Sequence, residues 1–219
     1  MTPTAPPTPT PPTGAGPLLA LRRFARPKPP EQRCELCGTG LTAAHEHLVE
    51  PSSRQLFCCC SPCAILFSGR DALRFRRVPR SVEALLDFRL SDAEWEALHL
   101  PIRLAYFFPS TPAGRVLAFY PSPAGATESL LPLEAWQAIE AENPVLRTLE
   151  PDVEALLANR MATVPEYFRV PIDECYRLVG LLRAHWKGLS GGAEVWGEIG
   201  RFFDQLRDRA GLDGGPADA

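Results

Sequence analysis

Residues 57–63 read FCCCSPC, four cysteines within seven positions. Upstream, residues 34–38 read CELCG. Cys34 and Cys37 form one C-x2-C pair and Cys60 and Cys63 a second, with 22 residues between the pairs. In a C-x2-C turn both sulfurs face one point, and the backbone N–H groups between them hydrogen-bond to the thiolates. Two such turns facing each other supply a tetrahedral four-thiolate set, with Zn–S distances of ~2.3 Å. The residues between the pairs support this geometry: HEHLVE and RQLFC read as strands joined by the turn PSS. A hairpin of that kind returns the chain to its first cysteine pair, which is the plan of a zinc ribbon. Residues 31–69 hold too few large apolar groups for a self-sufficient core. A structural metal, contributing roughly 10 kcal/mol in small domains, supplies the missing stability.

Cys58 and Cys59 are left over. Strand parity puts Cys58 on the side of Cys60, close to the metal and able to compete as a ligand, and Cys59 on the other. Cys59 then packs as a small apolar residue. The functional alternative is a reactive thiol, favoured by the metal and by Arg54. His45 and His47 share a strand face by the same parity. They stand as ligands of a mixed site, as neighbours donating to a ligand sulfur, or as half-exposed strand residues. Thiolates in this arrangement take zinc, or a single iron as in rubredoxin-like sites. Zinc is the default, because a redox role needs a partner that these residues do not name.

Outward from this module the chain changes character. Ten of the 24 prolines fall in the first 30 residues, so residues 1–30 read as a disordered Pro/Thr-rich tail. Residues 31–69 are the cysteine module, 70–210 an α+β body, and 211–219 a fraying terminus. Within the body, LRFRRVPRSVEALLDF reads as a basic strand and a short helix. SDAEWEAL carries Ser91 with Glu94 three residues on, a capping box. PIRLAYFFPSTPAGRVLAFYPSP reads as a β-hairpin, and Pro132 starts a helix running to about Glu142. FYPSPAGATESLLP reads as a turn-rich loop, PDVEALLANR as a helix and EYFRVP as a strand. Two amphipathic helices follow, on the spacing Ile172, Cys175, Tyr176, Val179, Leu182, Trp186 and then Val195, Ile199, Phe202, Leu206. The fold class is therefore α+β: a zinc-ribbon-like module joined to a mixed body with two C-terminal helices.

The net charge of −3 hides a division, +5 over residues 1–89 and −8 over residues 90–219. The plain reading is a basic segment packed against an acidic one in the same molecule. Arg70, Arg74, Arg76, Arg77 and Arg80 also allow a nucleic-acid-binding ribbon, disfavoured because no clear aromatic platform interleaves them. The longest apolar runs fall short of the ~20 residues that span a bilayer. With no secretory pattern at the N-terminus, the expectation is a cytoplasmic protein, where clustered thiols bind metal rather than form disulfides. Phosphate-loop, dinucleotide and nucleophile-elbow motifs are absent. His99 and His185 are isolated, Cys175 lies on an apolar stripe, and Glu134, Glu140, Glu142, Glu150, Asp152 and Glu154 read as solvent-facing charge. The balance leans away from an enzyme.

At CELCG, HEHL, FCCCSPC, FYPSPAGATESLLPLEAW and CYRLVGLLRAHWKGLSGG the chain resembles an uncharacterised family of bacterial proteins. The resemblance covers residues from about 31 to 209. The family carries a domain-of-unknown-function label, and its genes tend to lie near those of uptake-type nickel–iron hydrogenases. Its paired cysteines match Cys34, Cys37, Cys60 and Cys63. The resemblance implies an accessory factor in hydrogenase assembly, regulation or electron transfer, with the hydrogenase or its maturation factors as protein partners.

Overall fold

The computed structural model describes residues 32–68, 74–187 and 191–212. The Pro/Thr-rich segment, Arg70 and the last seven residues lie outside them.

The hairpin between the cysteine pairs forms as β1 (Glu46–Glu50) and β2 (Gln55–Cys59), antiparallel, with Glu46 opposite Cys59 and Glu50 opposite Gln55. Residues 51–54 make the turn, which closes with Arg54 in the left-handed region at φ 58°. The chain leaves β2 at Cys59 and enters a short helix, α1 (Ser61–Phe67), in which Pro62 serves the first turn, where a missing N–H costs nothing. Strand β3 (Arg76–Arg77) pairs with the other edge of β1, completing a three-stranded sheet of order β2-β1-β3.

The body is built on a second sheet, six antiparallel strands in the order β4-β9-β8-β5-β6-β7. Its strands are β4 (Glu83–Ala84), β5 (Leu104–Ser110), β6 (Arg115–Ser122), β7 (Gly125–Ser129), β8 (Glu154–Asn159) and β9 (Glu166–Pro171). Helices α2 (Asp92–Ala97) and α3 (Leu133–Glu142) cover one face. Helices α4 (Ile172–His185) and α5 (Gly192–Arg209) cover the other. Strand alternation divides the core accordingly. Tyr106, Phe108, Leu117, Phe119, Leu157 and Phe168 face α4 and α5. Ala105, Phe107, Ala118, Leu156 and Tyr167 face Trp95 of α2 and Trp136 and Ile139 of α3. The capping box at Ser91 is present in both directions.

Three segments depart from the sequence expectation. PDVEALLANR is β8, an interior strand buried at every position. A strand covered on both faces loses its polar alternation, and Val153, Leu156 and Leu157 then imitate a helical stripe. SVEALLDF is not a helix: it supplies the two-residue edge strand β4, and Leu85 N–H donates to Tyr167 O at 2.9 Å. Val82 and Ala84 face one core cluster and Leu85 and Phe88 the other. The turn-rich segment supplies β7, which pairs with β6 from Ser122–Gly125 to Ala118–Ser129. An edge strand has one open side, so glycine and turn formers are tolerated there. The hairpin β5–β6, the strand β9 and the helices α3, α4 and α5 form as the spacing predicts.

The ribbon sheet rests on the body. Val49 of β1 and Val78 belong to the same cluster as Val153, Ile172 and Cys175. The Tyr176 hydroxyl donates to Arg54 O at 3.1 Å. Charge follows the same line of contact: Arg54 meets Glu128 at 3.2 Å and Arg76 meets Asp152 at 3.4 Å. The basic first half thus packs in part against acidic residues of the second. Among the described residues, no helix is long and apolar enough to cross a membrane.

Candidate metal centre

The first cysteine pair sits in a tight turn ahead of β1. Cys34 N–H donates to Thr39 O and Gly38 N–H to Cys34 O, each at 2.8 Å. Gly38 takes φ 78°, a left-handed conformation in which a side chain is strained, so the glycine after the pair is a geometric requirement. Glu35, between the two cysteines, clamps this turn onto β2. Its N–H donates to Cys58 O at 2.9 Å, and its carboxylate accepts from Cys58 N–H at 2.5 Å. The second pair straddles the exit from the hairpin: Cys60 is the N-cap of α1 and Cys63 lies in its first turn.

These elements bring the four sulfurs of Cys34, Cys37, Cys60 and Cys63 within 4.8 Å of one another. The Cys37 and Cys60 sulfurs stand 3.7 Å apart. Four thiolates at ~2.3 Å from a central ion have an edge of about 3.8 Å, so the Cys37–Cys60 separation matches one edge of a tetrahedral shell. Cys34 and Cys63 are buried, Cys60 is half-buried and Cys37 is exposed. Burial raises the Cys34 thiol, but the backbone N–H groups of Cys60, Leu36 and Cys37 outweigh it and hold its pKa down at about 6. Cys37, whose sulfur lies 3.4 Å from the Thr39 hydroxyl, is lowered chiefly by that side chain and by the Thr39 backbone. Cys63 is raised, first by burial and then by the neighbouring thiols of Cys60, Cys37 and Cys34. Four thiolates at this spacing would repel one another, so the whole set ionises together only around a cation, and a purely thiolate set suits zinc or iron.

The surplus thiols part company with this set. Cys59 is fully buried, directs its S–H to Glu46 O at 3.4 Å, and is pushed up to about 12 by burial first and then by the charges around it. Cys58 points elsewhere: its sulfur lies within 4.8 Å of ring nitrogens of His45 and His47. Burial, then the Glu35 carboxylate, raises its thiol. His45 stands just ahead of β1 rather than on it, with Nδ1 2.9 Å from Thr42 O. His47 Nδ1 lies 2.7 Å from Asp173 Oδ2 at the start of α4. Sequence reasoning missed Asp173 altogether, and no local signal marks a residue 126 positions away.

The remaining candidates do not gather. Cys175 is buried in the core. His99 takes a left-handed φ of 53° beyond α2, and His185 lies 3.3 Å from Glu194. Asp152 and Glu154 are buried rather than solvent-facing, and arginines meet them: Arg76 beside Asp152, and Arg169 bonded to Glu154. Arg74 pairs with Glu50 at 2.7 Å, and Arg77 and Arg80 both pair with Glu46 at 3.0 and 3.1 Å.

Neither the comparison with curated proteins nor that with solved structures finds a match. The profile of one family does match, over residues 33–210, taking in the ribbon and nearly all of the body. The chain belongs to DUF5947, a family of unknown function.

Proposed function

We propose that the chain is a non-enzymatic metal-binding accessory protein of the cytoplasm, holding one zinc ion at Cys34, Cys37, Cys60 and Cys63 and acting through protein contacts. The observation that carries this reading is the convergence of four sulfurs from two C-x2-C turns, with the 3.7 Å Cys37–Cys60 separation of a tetrahedral edge. A protein partner is supported by Ile65 and Leu66, 67% and 72% exposed on α1 two and three residues past Cys63. Arg74, Arg76, Arg77 and Arg80 are all engaged with carboxylates of this chain, which weighs against phosphate binding. The resemblance described above names a nickel–iron hydrogenase, or the factors that mature it, as the partner. Co-purification of the hydrogenase with the tagged chain tests that part.

Iron at the same thiols is the second reading, favoured by the exposure of Cys37, which would put one ligand of a redox centre at the surface. Metal content per chain and a visible spectrum, measured on protein purified without oxygen or added metal, separate the two. One colourless zinc supports the structural site, and iron with thiolate-to-metal absorption supports electron transfer. Replacing Cys37 or Cys60 by Ser should release the ion, and unchanged metal in both variants would sink the assignment.

A further inference from the structure

His45, His47 and Cys58 present an arrangement that the four-cysteine set does not use. His45 Nδ1 lies 2.9 Å from a backbone carbonyl, Thr42 O, and His47 Nδ1 lies 2.7 Å from the Asp173 carboxylate. Carbonyls and carboxylates only accept hydrogen bonds, so both Nδ1 atoms carry the proton. In neutral rings both Nε2 atoms are then bare lone pairs, and they face each other at 3.2 Å. Two acceptors at that distance repel unless a cation or an extra proton lies between them. The sulfur of Cys58, opposite His47 in the β1–β2 register, closes the group, with all three donor atoms within 4.8 Å.

We propose that His45 Nε2, His47 Nε2 and Cys58 Sγ form a second transition-metal site, distinct from the four-cysteine centre and sharing no ligand with it. Nitrogen ligands at about 2.0–2.1 Å from a tetrahedral ion stand about 3.3–3.4 Å apart, close to the spacing between the two rings. The supports are those of metal-binding histidines: a carboxylate on one ring and a backbone carbonyl on the other, fixing tautomer and orientation. Two imidazoles and a thiolate form a borderline set suited to Zn²⁺, Co²⁺ or Cu²⁺ rather than to Mg²⁺ or Ca²⁺. All three ligands are half-buried, so solvent reaches the group and a small donor can take the fourth position. Three protein ligands and an open place describe a site that binds a small donor molecule or passes its ion on, whereas a structural clamp is closed.

Because the two centres share no ligand, their failures are separable. Apo full-length chain is titrated anaerobically with Co²⁺, and then with Zn²⁺, following stoichiometry and the visible ligand-field spectrum. Two equivalents with two distinct spectra are expected. His45→Ala and Cys58→Ser should each lose the equivalent of mixed nitrogen–sulfur character and keep the all-sulfur one, with an unchanged circular dichroism spectrum. Asp173→Asn, which leaves every ligand in place, should weaken that same equivalent tenfold or more. A single equivalent of mixed character, lost in His45→Ala, would retain this site and remove the four-cysteine one. A single all-sulfur equivalent in the native chain would overturn this proposal. So would a second equivalent that survives both ligand variants.

Discussion

The ribbon and the body solve the same problem with different materials. The body encloses a six-stranded sheet between helices on both faces, and its two clusters hold fully buried side chains as large as Tyr106, Phe107, Phe168 and Phe202. Among the described residues the ribbon's own cluster has six buried members, and three of them are Cys34, Cys59 and Cys63. Burial of large apolar groups stabilises the first. The second has thiols where a core would have leucines, and under the function proposed above its cohesion depends on the ion they bind. One chain thus joins a part built on hydrocarbon to a part whose buried core is half thiol.

Stripping the metal should produce the largest effect and divide the molecule along this line. Under a strong chelator the amides of β1, β2 and α1 are expected to lose their hydrogen-exchange protection while those of β5, β8 and β9 keep theirs. Ribbon protection that outlasts complete removal of metal would break the comparison. The converse perturbation lies in the body. Phe107 is fully buried and stacks on Trp136 at a centroid distance of 5.0 Å. Phe107→Ala is therefore expected to cost about 3–5 kcal/mol in denaturant unfolding. Metal content in native buffer should not change, and a variant that lost metal as well would show the two parts to be one cooperative unit.

Smaller effects sharpen the picture within the body. Asn143 is buried at the end of α3; its side-chain NH2 donates to Arg89 O and Ile139 O, and its carbonyl accepts from Arg89 N–H, all at 2.8 Å. Asn143→Ala strands those backbone groups and should cost about 1–3 kcal/mol, read as a lower denaturation midpoint with an unchanged slope. An effect near zero would mean that water replaces the side chain. Smallest is Ser91→Ala, which removes the cap of α2 and should cost about 1 kcal/mol in the same assay. A cost as large as that of Phe107→Ala would contradict its assignment as a local contact.

What was legible in the sequence follows physical range. The C-x2-C spacing, the β1–β2 hairpin, the capping box and the helical stripes of α4 and α5 are local patterns, and the structure contains them. β8 was misread because burial on both faces erases alternation, and β7 because an edge strand tolerates turn formers. At the site, strand parity put Cys58 beside Cys60, but the chain leaves β2 at Cys59, so parity stops one residue too early to apply to Cys60. The pairing of His47 with Asp173 exists only through the docking of the ribbon on α4.

Cys58, Cys59 and Cys60 stand consecutively in three environments: beside the histidines, inside the ribbon's core, and in the four-sulfur shell. A substitution at any of them disturbs one environment. A deletion of one residue between Phe57 and Cys60 disturbs all three, because it flips the faces of the strand and draws Cys60 back into the ladder. The stretch should therefore tolerate a change of letter better than a change of length. Cys59→Ala is expected to keep both metal and fold, whereas a chain one residue shorter there should keep neither. Metal content and exchange protection measured side by side on the two variants decide the point. Three like residues in a row are, in this protein, a ruler rather than a reserve of thiols.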